Sequence, residues 1–346
     1  MFRRFRGRAA AAAMILLAGS GALTACGGDD SSGKNAPLRL GYFPNITHAT
    51  ALVGVEKGIF AKHLGTAPKT ATFNAGPAAV EALFSGAIDA TFVGPNPSIN
   101  AWSQSHGKAI KIYSGAASGG VSLIVKPTIK AAADLKGKKI ATPQLGNTQD
   151  VALRYWLKQQ GLTANKDGSG DVKVVPQDNA QTLQTFAQGS IDGAWVPEPY
   201  ASRLIIEGKG KKLLDESSLW PGGKFVITNL IVSQKYAKAH PDKVKQLLEG
   251  VVEATDYINN NKADAEKTAN AALTKLSGKP LKQDVLDAAF KQIQFTEDPV
   301  SSSLFAGAQH AEQIGLLAKT DLTGIYDLGP LNEVLKASGK AQVSDK

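Results

Sequence analysis

Several residue types are scarce in this chain, and each scarcity excludes something. There is one cysteine in 346 residues, with two methionines, five histidines and 7% aromatic side chains. A single cysteine excludes an internal disulfide framework and any zinc site built from several thiolates. The histidines, His48, His63, His106, His240 and His310, never take the His-x-x-x-His spacing that sets two imidazoles on one helical face, so no metal is expected. No Gly-x-x-x-x-Gly-Lys-Ser/Thr phosphate loop occurs, since the one Gly-x-x-x-x-Gly-Lys stretch, Gly28 to Lys34, is followed by Asn35, and no Gly-x-Gly-x-x-Gly follows a strand. Nucleotide chemistry therefore has no support, and no cofactor is expected. The apolar run Ala9 to Ala18 is too short to span a bilayer comfortably.

What is present describes an ordinary exported α/β protein. Hydrophobic residues make up 43% and charged residues 20%, with 35 glycines for turns. The length suggests about two domains. Four of the nine net positive charges, Arg3, Arg4, Arg6 and Arg8, stand in the first 25 residues, which contain no acid. A charged start, a short apolar stretch and small residues read as a secretory signal over residues 1–25. Its removal would leave 321 residues at +5, a modest excess that is no nucleic-acid footprint. The basic runs Lys136 to Lys139 and Lys209 to Lys212 lack interleaved aromatics and fit solvated faces or helix C-termini, so no nucleic-acid partner is expected. Leu23-Thr24-Ala25-Cys26 resembles a bacterial lipobox, in which Cys26 would carry a diacylglyceryl group. Two acyl chains hold a protein stably where one does not. The alternative is a plain secretory signal followed by a free thiol. Residues 26–36 then form a lipid-anchored tether; its ten polar or small residues after Cys26 span about 18 Å.

The body repeats itself. Residues 75–93 align with 178–196 at an offset of 103, matching Gly86, Ile88, Asp89 and Val93 with Gly189, Ile191, Asp192 and Val196. Each copy reads as a short helix, a glycine at its C-terminus and a buried strand. Residues 44–52 resemble 145–153 at an offset of 101, each following a strand and opening a helix at a threonine, Thr47 or Thr148. Two similar lobes are the economical reading. Val121 to Val125 and Val226 to Val232 read as β-rich crossover segments bracketing the second copy. This predicts a first lobe of residues 37–124 and 229–346, with residues 125–228 inserted as the second. Apolar stripes at Val244, Leu247, Leu248, Val251, Val252 and Ala254, and at Val285, Leu286, Ala289 and Phe290, predict helices packed on the first lobe.

Helix starts that follow strands offer unpaired N–H groups and the positive end of a dipole, a ready anion site. Such starts fall at Thr47-His48, Gly76-Pro77, Asn96-Pro97, Thr148-Gln149 and Asn179-Ala180. Ligands of open α/β sheets bind beyond the carboxyl ends of the strands, where these loops lie, so two facing lobes could close on a small anion. Plainer roles compete: Thr47 and Thr148 as caps, His48 as a surface histidine, Trp195 as packing. Glu198, held between Pro197 and Pro199, suits either a cationic group on the ligand or an ion pair with a lysine.

Gly41 to Ala49, Gly94-Pro-Asn-Pro97, Gly115 to Gly120, Asp134 to Ala141, Leu145 to Thr148 and Trp195 to Tyr200 together resemble, in order, the aliphatic sulfonate, taurine and nitrate group of ABC-transporter substrate-binding lipoproteins. The resemblance covers nearly the whole chain after Cys26. It implies a type II periplasmic-binding-protein fold, with two similar α/β lobes joined by crossover hinge strands. It implies a monomer anchored by lipid to the outer face of the cytoplasmic membrane. It further implies capture of a small anionic ligand and its delivery to an ABC permease with its ATPase. By the same resemblance the pocket would be lined by Asn45, Thr47, His48, Gly76, Asn96, Gly119, Thr148, Gln149, Trp195 and Glu198. An aliphatic sulfonate or taurine is the expected ligand, with nitrate or a pyrimidine or thiamine precursor as the alternative.

The chain is not expected to be an enzyme. A desulfinase relative uses a cysteine in its first-lobe pocket, whereas the sole cysteine here is Cys26. Ala116-Ala-Ser118-Gly-Gly120 approaches a hydrolase elbow, but that elbow needs a helix next, and Val121 to Val125 reads as strand.

Overall fold

A computed structural model describes residues 36–346. The sequence-predicted signal, Cys26 and most of the tether lie outside the described residues. The chain opens with β1 (Arg39–Tyr42), α1 (Ala49–Glu56), α2 (Ile59–Leu64), β2 (Lys69–Thr72), α3 (Gly76–Phe84), β3 (Ala90–Val93), α4 (Pro95–Gln104) and β4 (Ile110–Gly119). It continues through β5 (Val121–Val125), β6 (Lys139–Thr142), α5 (Thr148–Gln159), β7 (Lys173–Pro176), α6 (Asn179–Ala187), β8 (Gly193–Pro197), α7 (Tyr200–Ile206) and β9 (Lys211–Asp215). The last part holds β10 (Val226–Ser233), α8 (Gln234–Ala239), α9 (Pro241–Asn260), α10 (Lys262–Ser277), α11 (Gln283–Lys291), β11 (Ile293–Phe295), α12 (Ser301–Gln313) and α13 (Gly329–Ala337).

Two mixed sheets form the cores of two lobes. The first runs β11-β4-β10-β3-β1-β2 and the second β7-β6-β8-β5-β9. In each, three parallel strands meet an antiparallel neighbour, β10 beside β3 and β5 beside β8. Strands β3, β5 and β8 are buried along their whole length, as expected for strands covered by helices on both faces.

The repeat is visible atom by atom. Asp89 Oδ2 accepts the Arg39 N–H at 2.9 Å, and Asp192 Oδ2 accepts the Lys139 N–H at 3.0 Å. Each aspartate thus pins the first residue of the strand beside its own. Gly86 and Gly189 both take positive φ, 73° and 75°, where α3 and α6 turn back toward their strands.

The chain passes from the first sheet to the second at Gly119 and Gly120, with φ of 80° and 72°, and returns between Asp215 and Val226. These exchanges fall a few residues before the expected divisions at 125 and 229, because β5 pairs along its length with β8, and β10 pairs from Val226 with β4. A side chain at Gly120 would meet Ile293 Cγ1 at 2.4 Å, so this turn combines a left-handed backbone with close packing. Helix α9 buries Val244, Leu247, Leu248, Val251, Val252 and Ala254 against α1 and α2. Helix α11 buries Val285, Leu286, Ala289 and Phe290.

Candidate functional site

Loops at the carboxyl ends of parallel strands from both sheets meet around one small cavity. Its wall is Phe43, Asn45, Thr47, His48, Asn74 and Gly94 from the first lobe, Asn147, Thr148, Gln149 and Pro197 from the second, and Ile227 of β10. About 20 Å³ is open to the centre of a water-sized sphere, little more than one water needs. A wider vestibule of about 440 Å³ shares Asn74 with it and reaches Pro143, Gln144, Gln177 and Asp178.

The first-lobe wall is built by a 3-10 turn, Ile46–His48, between β1 and α1. His48 is buried and stacks on Phe43 with ring centroids 4.4 Å apart. Its Nδ1 accepts the Phe43 N–H at 3.2 Å. A backbone N–H can only donate, so Nδ1 is unprotonated and the ring proton sits on Nε2. Burial lowers the histidine to about 3, keeping it neutral at physiological pH. Thr47 Oγ1 donates to Asn45 Oδ1 at 2.7 Å, and the Thr47 carbonyl accepts from Thr228 Oγ1 at 3.0 Å.

The second-lobe wall is the start of α5. Asn147 is its N-cap position, and Thr148 and Gln149 are its first two residues. The loop is held from behind by a buried pair: Asp150 accepts from Thr142 Oγ1 and the Gly146 N–H, each at 3.0 Å, and from Arg154 Nε at 3.0 Å. Arg154 Nη1 is spent on the carbonyls of Ala164 and Asn165. Asn147 Nδ2 donates to Gln149 Oε1 at 2.9 Å. Thr148 Oγ1 is buried and has no hydrogen-bond partner among the described residues. A buried hydroxyl left in that state costs about 1 to 3 kcal/mol, which a ligand could recover.

No lysine, arginine, aspartate or glutamate lines the cavity. Its polarity comes from hydroxyls, carboxamides, a neutral imidazole and the N-terminal end of a 12-residue helix. That set can hold a small anion by hydrogen bonds and the helix dipole without a counter-ion.

Of the ten residues expected to line the pocket, Asn45, Thr47, His48, Thr148 and Gln149 stand together in this wall. The others lie elsewhere. The Gly76 N–H donates to Asn147 Oδ1 at 3.3 Å, joining the lobes beside the cavity. Asn96 Nδ2 donates to the Gly307 carbonyl at 3.3 Å inside the first lobe. Gly119 is part of the turn between the sheets. Trp195 is fully buried and donates to Glu216 Oε2 at 2.6 Å. Glu198 accepts from Ser202 N–H and Oγ, both at 3.0 Å, at the start of α7. Burial raises its carboxyl to about 7, with the Ser202 hydrogen bonds opposing. It makes no ion pair with a lysine among the described residues. Its backbone nevertheless links the lobes, since its N–H donates to Gly120 O at 2.8 Å and its carbonyl accepts from the Ile46 N–H at 3.2 Å.

The wall also contains Phe43, Asn74, Gly94, Asn147, Pro197 and Ile227, none of them in the expected set. Asn147 sits directly before Thr148, and N-cap preference could have found it. Asn74 follows β2 with no comparable signal; it reaches across the cleft to Asp178 Oδ2 at 3.2 Å. Ser118, the serine of the near-elbow, is the penultimate residue of strand β4, and its Oγ accepts the Phe225 N–H at 3.3 Å.

The taurine-binding periplasmic protein of Escherichia coli K12 is 29% identical over 232 residues, 66% of this chain and 70% of that protein. Among solved structures, the alkanesulfonate-binding protein SsuA of Xanthomonas axonopodis pv. citri, bound to MOPS, superposes with a TM-score of 0.70 at 23% identity. The match covers 85% of this chain and 99% of that one. The periplasmic nitrate-binding protein NrtA of Synechocystis PCC 6803 gives 0.74 at 18% identity, over 87% and 88% of the two chains. With two mixed α/β sheets in two lobes, the architecture is that of the periplasmic binding proteins. Residues 31–273 match the NMT1-like family, and the chain belongs to that family.

Proposed function

We propose that this chain is the extracytoplasmic solute-binding component of an ABC importer and captures a small organic anion, an aliphatic sulfonate or taurine, between its two lobes. One observation carries the reading: a cavity between facing strand ends, lined by neutral donors, with a buried unpartnered hydroxyl, Thr148 Oγ1, at the start of α5. The contacts would be Asn45, Thr47, His48 Nε2, Thr148 and Gln149, joined by Asn74 and Asn147. The sulfonate head would occupy the cavity and its chain the vestibule. No carboxylate lines the cavity and Glu198 is engaged by Ser202, so an amine has no counter-charge there. In the vestibule, where the chain of the ligand would lie, Asp178 supplies one, so taurine and a plain alkanesulfonate are both accommodated. The small volume favours a second reading, nitrate, which has no chain to accommodate.

Residues 121–215 would move as one lobe against the rest, hinged at Gly119-Gly120 and between Asp215 and Val226. Cys26 would carry the lipid anchor, and a permease with its ATPase would accept the ligand. Calorimetric titration of the purified chain with alkanesulfonates, taurine, nitrate and sulfate tests the ligand class. A saturable anion heat is expected; silence with all of these would overturn the reading. Cys26→Ala should release the protein from membranes, and retention would count against lipidation.

A further inference from the structure

A second pocket lies on the seam between the lobes, away from the cavity just described. Tyr155 and Trp156 of α5, Leu219, Trp220 and Glu216 from the segment before β10, and His310 of α12 are among the residues enclosing about 290 Å³. The walls are aromatic. Tyr155 stacks on His310 across the lobes, with centroids 3.7 Å apart and planes 10° from parallel, and Trp220 lies 5.5 Å from the same imidazole. At the floor stands a carboxylate, Glu216, which is 1% exposed.

The environment of that carboxylate is incomplete. Trp195 Nε1 donates to Oε2 at 2.6 Å. The Trp220 indole faces the same group, but its buried N–H completes no hydrogen bond among the described residues. Glu216 forms no ion pair with a lysine or arginine among the described residues. Buried carboxylates are ordinarily paired with a cation, because an isolated one costs several kcal/mol. Burial accordingly raises Glu216 to about 7, with the Trp195 and Trp220 indoles opposing and the Asp215 charge adding to the rise. What is missing is a positive charge, and the space beside it is lined by aromatic side chains, the groups that attract one.

We propose that this pocket is a second ligand site that takes a small quaternary ammonium ion, its charge set against Glu216 and its methyl groups against Tyr155, Trp156, Trp220 and His310. The volume suits such a ligand, close to the lower end of the range for small-molecule sites. The main cavity has neither a carboxylate nor an indole in its wall.

Choline serves as the probe and 3,3-dimethylbutan-1-ol as its neutral isostere. The full chain is titrated with each by calorimetry and by tryptophan fluorescence, which Trp156 and Trp220 should report. Saturable binding of choline is expected, with at least tenfold weaker binding of the isostere. Glu216→Gln keeps an acceptor for Trp195 while removing the charge, and should weaken choline about tenfold or more. Trp220→Phe should weaken it about two- to fivefold. With the anion site saturated by taurine or an alkanesulfonate, choline should still bind saturably, since the two ligands occupy different pockets, and Glu216→Gln should leave sulfonate binding saturable. A chain that binds choline but no anion would sink the proposed function and leave this site standing. Equal binding of the isostere, unchanged choline affinity in Glu216→Gln, one-for-one competition with the sulfonate for a single site, or no saturable signal up to about 10 mM choline would each overturn it.

Discussion

Thr148 and His48 carry the polar character of the cavity by different routes. Thr148 Oγ1 has no partner, so the ligand-free protein bears a desolvated hydroxyl. Thr148→Val keeps the shape and removes that hydroxyl. Thermal melting should show the variant as stable as the native protein or up to about 1 kcal/mol more stable. Sulfonate titration should show affinity at least tenfold weaker. Equal loss of stability and affinity would mean that Thr148 is merely structural. Buried groups also set a pH dependence. His48 is lowered to about 3, so below its unfolded value near 6.5 the unfolded chain takes up a proton that the native one refuses. Glu198 and Glu216 are raised to about 7, so between about 4.5 and 7 the native chain holds two protons that the unfolded one releases. His310 is lowered by burial as well and acts with His48, while Glu266 is raised and acts with the other two glutamates, so over about pH 5 to 6.5 the buried acids favour low pH and the imidazoles favour high pH. Replacing Glu198 and Glu216 by glutamine should therefore raise the melting temperature at pH 7.5 relative to that at pH 5.5, and an unchanged difference would contradict their assignment.

Helix α9 shows how an element is seated by one aromatic ring. Phe60 of α2 is fully buried, and a Cβ added at Gly250 of α9 would meet its Cδ1 at 2.6 Å. A Cβ at Gly54 of α1 would meet the same ring at 2.5 Å. Gly250→Ala gains about 1 kcal/mol of helix propensity but overpacks the contact by about 1 to 3 kcal/mol. Denaturant titration should show a net loss of about 1 kcal/mol, relieved when Phe60→Leu is added; a more stable single variant would contradict the packing argument. At this scale much was legible in advance. The stripes of α9 and α11 follow from their spacing alone, because a buried helix face must be apolar. The alignment at offset 103 predicted a helix, a glycine turn and a buried strand twice, and α3 with β3 and α6 with β8 are those units. Less legible was which polar residues at strand ends face the cleft. Trp195 near the end of β8 and Asn96 in the first turn of α4 stand at strand ends of the right kind, but their polar atoms satisfy Glu216 and Gly307 instead. Asn74 and Gly94 line the cavity because of contacts from the opposite lobe, which no local pattern encodes.

At the scale of the molecule, the two lobes touch closely where Gly94 meets Thr148. A Cβ at Gly94 would lie 2.4 Å from Thr148 Oγ1, although its φ of −69° and ψ of 162° suit alanine well. Gly94→Ala should therefore leave the fold intact, with stability raised by about 0.4 to 1 kcal/mol through the unfolded chain. It should also prop the lobes apart and weaken sulfonate binding at least tenfold. Small-angle scattering with ligand present would show whether compaction is lost. Normal compaction with native affinity would rule out this contact as the stop of closure. The exchange of strands has a further consequence, one of timing. In the first sheet β10 lies between β3 and β4, yet it follows the entire second sheet in the chain. Emerging from its N-terminus, the polypeptide can complete the sheet of β5 to β9 while the earlier strands still wait for their central partner. Pairing of β10 with β3 must also bridge more than a hundred residues of intervening chain. The lobe that comes second in sequence is thus the first whose sheet is whole.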